Sequence, residues 1–128
     1  MKKSGASENL LDYLREQGLT GCKRSCGIGE CGSCTVVVRY REEEGGAVVA
    51  CLVPLASLQG AAVTTVEGLG QELHPVQEML HVGHATQCGF CSPGVVCLNC
   101  CLVSLLKRLH IFPRPPRQVW VGWWRGKV

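Results

Sequence analysis

The sequence predicts an α+β fold on three observations: an amphipathic helix near its start, short strands in the middle, and helical patterns after Pro75. Leu10, Leu11 and Leu14 fall on one face, with Ser7 placed to cap a helix over residues 8–17 and Gly18 to end it. Gly21 to Gly32 is rich in Gly and Cys with neither helical nor strand periodicity, and reads as a loop. Thr35 to Tyr40 is a β-branched strand, Glu42 to Gly46 a charged turn, and Ala47 to Val53 the return strand of a hairpin. Ala62 to Val66 is a further short strand ending at Gly68. Pro75 opens a second helix with Val76, Met79 and Leu80 on its buried side. A loop from Gln87 to Gly94 follows, and then a third helix from about Val95 to Leu109.

A chain of 128 residues has room for one compact domain, or two small ones sharing a core, and not for a large active site. Ten cysteines in a secreted chain would suggest a disulfide framework. Met1-Lys2-Lys3, however, leads into small polar residues and a charged amphipathic stretch, without the apolar core of a signal peptide. The cysteines are therefore expected to be reduced, cytoplasmic and available to metal. The longest apolar stretch, Val95 to Leu106, is broken by Asn99 and Ser104 and falls short of the roughly 20 residues a membrane span requires. The net charge of +3 hides an asymmetry, because residues 107–128 hold six Lys or Arg and no acid.

Cys26-x4-Cys31-x2-Cys34, followed by Cys51, has the spacing of a plant-type [2Fe–2S] site. Such a cluster needs four thiolates around two irons, and a glycine-rich loop wraps closely enough to supply three of them. Gly27, Gly29 and Gly32 lie between those three, leaving backbone N–H groups room to approach the sulfurs. The return strand supplies Cys51, which makes cluster binding part of folding. Four cysteines also suit zinc, but zinc sites usually use two short paired knuckles, so the cluster is preferred. Cys22 does not fit the ligand set and reads as a small buried thiol.

Cys88 and Cys91 form a second paired loop opening a helix, where the helix dipole favours thiolate. Cys97, Cys100 and Cys101 lie within that helix. Cys97 and Cys101 are expected to share a face with Cys100 rotated away, so all three read as apolar thiols and not as replacement ligands. His74, His81, His84 and His110 lack the Cys-x-His pairs of a Rieske site and read as surface or helix-lining residues.

The ordered motifs Cys-Gly-x-Gly-x-Cys-Gly-x-Cys-Thr, Ala-Cys-Leu-Val-Pro, Thr-Val-Glu-Gly, His-Pro-Val-Gln-Glu and Gln-Cys-Gly-Phe-Cys-x-Pro-Gly resemble the iron–sulfur region of molybdenum hydroxylases, the xanthine dehydrogenase and aldehyde oxidase family. The resemblance runs from about Asn9 to Val96. It implies a β-grasp ferredoxin-like domain over residues 1–70, without the family's first strands and so with an exposed sheet edge. It further implies part of an all-α [2Fe–2S]-binding domain over 71–110, and a divergent basic, Trp-rich tail over 111–128. In this family a molybdopterin site hydroxylates aldehydes or N-heterocycles, and electrons pass through the helical-domain cluster and then the ferredoxin-like cluster to FAD.

By that resemblance Gln87 would contact the pterin, and Cys88 and Cys91 would be half of a second ligand set. The family completes that set with a Cys-Arg-Cys turn that this sequence lacks. The implied role is an electron-transferring oxidoreductase component with no substrate site of its own, whose molybdopterin and FAD domains belong to a homodimeric parent enzyme. The alternative is a truncated, catalytically incompetent isoform acting at most as an interaction or regulatory partner. Trp120, Trp123 and Trp124 interleave with Arg117, Arg125 and Lys127, as in membrane-surface or nucleic-acid segments. Since the tail departs from the family where the second site should be finished, an altered C-terminus is preferred, with no nucleic-acid or membrane partner.

Overall fold

The structure is a computed structural model describing residues 8–40, 45–69 and 73–109. Ser7, the acidic run 42–44, His110 and the tail 111–128 lie outside the described residues.

The first helix, α1 (Leu10–Glu16), is capped by Asn9, whose side-chain oxygen accepts the Asp12 N–H at 2.9 Å. It ends where Gly18 turns the chain at φ 85°. Leu10, Leu11 and Leu14 are all buried, and each contributes about 1.5–3 kcal/mol by leaving water. They pack with Val36 and Val38 of β1 (Thr35–Tyr40) and with Ala50, forming the core. The β2 strand (Gly46–Val49) and β3 (Ala61–Thr64) flank β1 antiparallel on either side, in the order β2-β1-β3. Thr35 pairs with Val49 and Val37 with Thr64, so the hairpin register is the one its β-branched pattern suggests.

Alternation along β1 sends Val36 and Val38 toward α1 and Val37 and Arg39 to the other face of the sheet. That other face is covered by α3 (Ser92–Arg108), whose Leu98, Cys101 and Leu105 line a cleft of about 820 Å³ with Val37 and Arg39. The short α2 (Pro75–Val82) lies against α3. Its start is a reciprocal cap: His74 Nδ1 accepts the Val76 N–H, and the Gln77 side chain accepts the His74 N–H.

Several expectations change; α1 is capped by Asn9 in place of Ser7, and the third strand runs over Ala61–Thr64, with Val66 in a 3₁₀ turn. The return strand stops at Val49, and Ala50–Leu52 form a 3₁₀ turn. The chain must bend there so that the Val53 carbonyl can accept the Leu10 N–H at 2.8 Å, and Pro54 cannot extend a ladder. No residue of α2 is fully buried, and Met79 is exposed, because only one side of this short helix meets a neighbour. The third helix begins at Ser92, three residues early, since Pro93 suits a first turn. Cys100 is buried with Cys97, while Cys101 is only half-buried; a three-residue step places Cys100 about 60° from Cys97, close enough to share its face.

Candidate metal centre

The first cysteine loop connects the end of α1 to β1. Gly27, Gly29 and Gly32 all take the left-handed backbone, at φ 71°, 86° and 68°, which other residues adopt at a cost. Three such reversals within a short span curl the loop and keep the intervening cysteines together. Glu67 fixes the approach to the loop by accepting the Gly21 N–H at 2.7 Å. Burial acts to raise the Glu67 carboxyl, but hydrogen bonds from Thr65, its own backbone and Gly21, with the Lys23 charge, bring it below its ordinary value.

The four predicted ligands come together as two pairs. Cys26 and Cys31 lie with their sulfurs 3.3 Å apart at the loop's outer side, and the Cys31 N–H donates to Cys26 Sγ at 3.4 Å. The Cys31 thiol is drawn down to about 6, first by the Cys26 backbone and then by the Ser33 backbone and side chain. Cys34 and Cys51 are both buried, and the Cys34 side chain is near enough to act on the Cys51 thiol. Burial foremost, and then the Cys34 thiol, push Cys51 up, while a hydrogen bond from the Gly29 backbone pulls the other way. Cys26 is near enough to act on Cys51 electrostatically, so the pairs are neighbours.

The Ala50 N–H donates to the Cys34 carbonyl at 3.2 Å, which ties the fourth candidate ligand to the third through one residue. Among the described residues no three His, Cys, Asp or Glu side chains are gathered around one point, the four predicted ligands included. Four thiols are the donor set a [2Fe–2S] cluster would take, and Cys26, Cys31, Cys34 and Cys51 would hold it there. The residues fit a [2Fe–2S] cluster.

The second loop is different. Cys88, Cys91 and Gln87 are all exposed, and Cys91 is the N-cap of α3. Cys97 and Cys100 point into the molecule, and burial pushes the Cys97 thiol up to about 11 and raises Cys100 and Cys101 also. Cys100 Sγ lies 3.3 Å from His74 Nδ1, a contact that joins α3 to the start of α2. The structure therefore does not bring these three cysteines to Cys88 and Cys91. His81 and His84 are exposed, as expected.

The two loops nonetheless touch. A Cβ added to Gly94 would stand 2.1 Å from the Gly32 carbonyl oxygen and 3.2 Å from the Ser33 carbonyl carbon. Only a residue without a side chain lets the first turn of α3 lie against the backbone of the first loop.

Comparison with known proteins agrees with this geometry. The family described as "2Fe-2S iron-sulfur cluster binding domain" matches residues 3–56, and "[2Fe-2S] binding domain" matches residues 65–119. Aldehyde oxidase 2 of Cavia porcellus is 51% identical over 118 residues, covering 85% of this chain and 8% of the relative. Aldehyde oxidase 3 of Rattus norvegicus is 55% identical over 116 residues, covering 84% and 8%. Among solved structures, aldehyde oxidoreductase from Desulfovibrio gigas superposes with TM-score 0.71 at 39% identity, over 80% of this chain and 11% of that one. Quinoline 2-oxidoreductase from Pseudomonas putida 86 gives 0.65 at 37%, over 73% and 57%.

The chain belongs to the molybdenum hydroxylases, the family of xanthine dehydrogenases and aldehyde oxidases. It spans about 8% of the length of the curated aldehyde oxidases it matches. Two residues of this molybdenum hydroxylase chain that the geometry singles out had no assigned role from sequence, Glu67 and Gly94. Both stood in motifs already noted, Thr-Val-Glu-Gly and Cys-x-Pro-Gly, but their partners are distant in sequence.

Proposed function

We propose that this chain carries single electrons through one [2Fe–2S] cluster held by Cys26, Cys31, Cys34 and Cys51, as the iron–sulfur portion of a molybdenum hydroxylase. The observation that carries the proposal is the pairing of Cys26 with Cys31 and of Cys34 with Cys51 on one glycine-curled loop and the turn beside it. A cluster bound there would supply reversible one-electron transfer. The chain's own groups prepare the site: the Cys26 and Ser33 backbone favours thiolate at Cys31, and burial of Cys34 and Cys51 keeps water from the inner side.

In the parent enzyme this portion would stand between a molybdopterin site and FAD, with residues 1–70 as the ferredoxin-like unit and 71–110 as part of the helical one. Gln87, exposed beside Cys88, is available for the pterin contact. Ten unpaired thiols are in keeping with a reducing, cytoplasmic setting. Anaerobic reconstitution of the full chain should give, after dithionite reduction, the EPR signal of a [2Fe–2S] centre. Cys34→Ser should abolish it, and an unaltered signal in that variant would refute the ligand set.

A second reading is favoured by one observation: Cys88 and Cys91 are exposed, while Cys97 and Cys100, the next cysteines of the chain, are buried within α3. On that reading the chain acts as an interaction or regulatory partner that does not complete the relay. Hydrogen exchange on the reconstituted chain would separate the two, since a cooperative relay unit should protect the β1–β2 hairpin and α3, and a poorly folded partner should not.

A further inference from the structure

Cys22 takes no part in the ligand set, yet it is 3% exposed and hydrogen-bonded at the heart of that set. Its thiol donates to the Cys34 carbonyl at 3.3 Å, the same carbonyl that accepts the Ala50 N–H at 3.2 Å. The next residue repeats the pattern, with the Lys23 N–H donating to the Ser33 carbonyl at 3.3 Å. Behind Cys22, the Arg15 guanidinium of α1 donates to the Cys22 carbonyl at 2.9 Å. A chain of contacts therefore runs from α1 through Cys22 to the backbone of Cys34, and on through Ala50 to Cys51.

We propose that Cys22 is a positioning residue whose S–H, by holding the Cys34 carbonyl together with the Ala50 N–H, fixes the buried Cys34–Cys51 half of the cluster site. This rests on the cluster assignment made above. The role has a chemical reason. The Cys34 carbonyl sits between two strand-end segments and has a lone pair left after the Ala50 bond. A neutral donor satisfies it in a buried place where a charged one would be costly. The thiol's direction onto a carbonyl, with its sulfur 3.3 Å from that oxygen, also explains how a fifth cysteine can stand so near without joining the ligands.

The test uses the full chain reconstituted anaerobically as wild type, Cys22→Ala and Cys22→Ser. The rate of cluster loss to an iron chelator is followed by visible absorbance, with EPR of the reduced samples alongside. Ala removes the donor and Ser keeps it. Cys22→Ala should lose its cluster about fivefold faster than wild type, the effect of one hydrogen bond to a buried carbonyl, with an altered EPR line shape. Cys22→Ser should restore both the rate and the line shape.

An Ala variant indistinguishable from wild type would overturn the proposal. So would a Ser variant as impaired as Ala, because packing or direct ligation by sulfur would then be the role. Loss of the cluster in Ala with retention in Ser supports it. If the wild type itself assembles no cluster, the ligand assignment fails first, and that result is distinct from any difference among the variants.

Discussion

The two cysteine loops of this molecule are built from the same short motif and end in different states. The first has its Cys26–Cys31 pair at the surface and its Cys34–Cys51 pair buried, the latter joined through a backbone hydrogen bond from Ala50. The second offers Cys88 and Cys91 to solvent, and of the cysteines that follow it Cys97 and Cys100 are turned inward along α3. A paired-cysteine motif becomes a four-thiol site only where the chain returns to it from elsewhere. Here the hairpin β1–β2 brings Cys51 back beside Cys34 for the first loop, whereas the cysteines after the second lie along α3.

The largest effect that sharpens this contrast is removal of the returning thiol. Cys51→Ser should leave the first loop with three thiols and prevent stable cluster binding, read as loss of visible absorbance after desalting. Next comes the contact between the loops. Gly94→Ala forces a methyl onto the Gly32 carbonyl, and overpacking of this kind costs about 1–3 kcal/mol. The denaturation midpoint of the variant should fall accordingly, whereas Gly46→Ala, with open space around its Cβ, should change it far less. Equal midpoints for the two variants would show that the loops are not pressed together.

A smaller effect is expected from pH. Burial raises the Cys22 thiol from its ordinary value of 9.0 to about 12, and Cys97 to about 11. Above pH 9 the unfolded chain releases these protons while the folded chain keeps them. Stability of the cluster-free chain should therefore be fully present below pH 9 and decline as pH rises toward 11 and 12, measured by urea midpoints across that range. Cys97→Ala should flatten part of that decline. The smallest effect belongs to the second loop: Cys88→Ser with Cys91→Ser should leave the iron content and EPR signal of the first site unchanged.

Much of this was legible in the sequence, for physical reasons that differ by region. The α1 helix and the β1–β2 hairpin follow from local periodicity, and the spacing of Cys26, Cys31 and Cys34 follows from a loop that closes on itself. Four features escaped because they depend on contacts distant in sequence. Cys51 was expected on a strand, but the bond between Leu10 and Val53 draws the chain into a 3₁₀ turn there. Met79 was expected inside, but α2 meets α3 on one side only. Cys100 was expected apart from Cys97, yet both lie on the covered face of α3, and His74 at the start of α2 reaches Cys100. Gly94 read as the last residue of a loop, and its need for no side chain became visible only with Gly32 beside it.

The most direct measurement of the central claim is the iron and acid-labile sulfide bound per chain after anaerobic reconstitution and desalting, with EPR spin quantitation on the reduced sample. The two-pair geometry at Cys26, Cys31, Cys34 and Cys51 predicts a single [2Fe–2S] centre per chain. Two centres per chain would contradict the contrast between the loops, and none would contradict the ligand set itself.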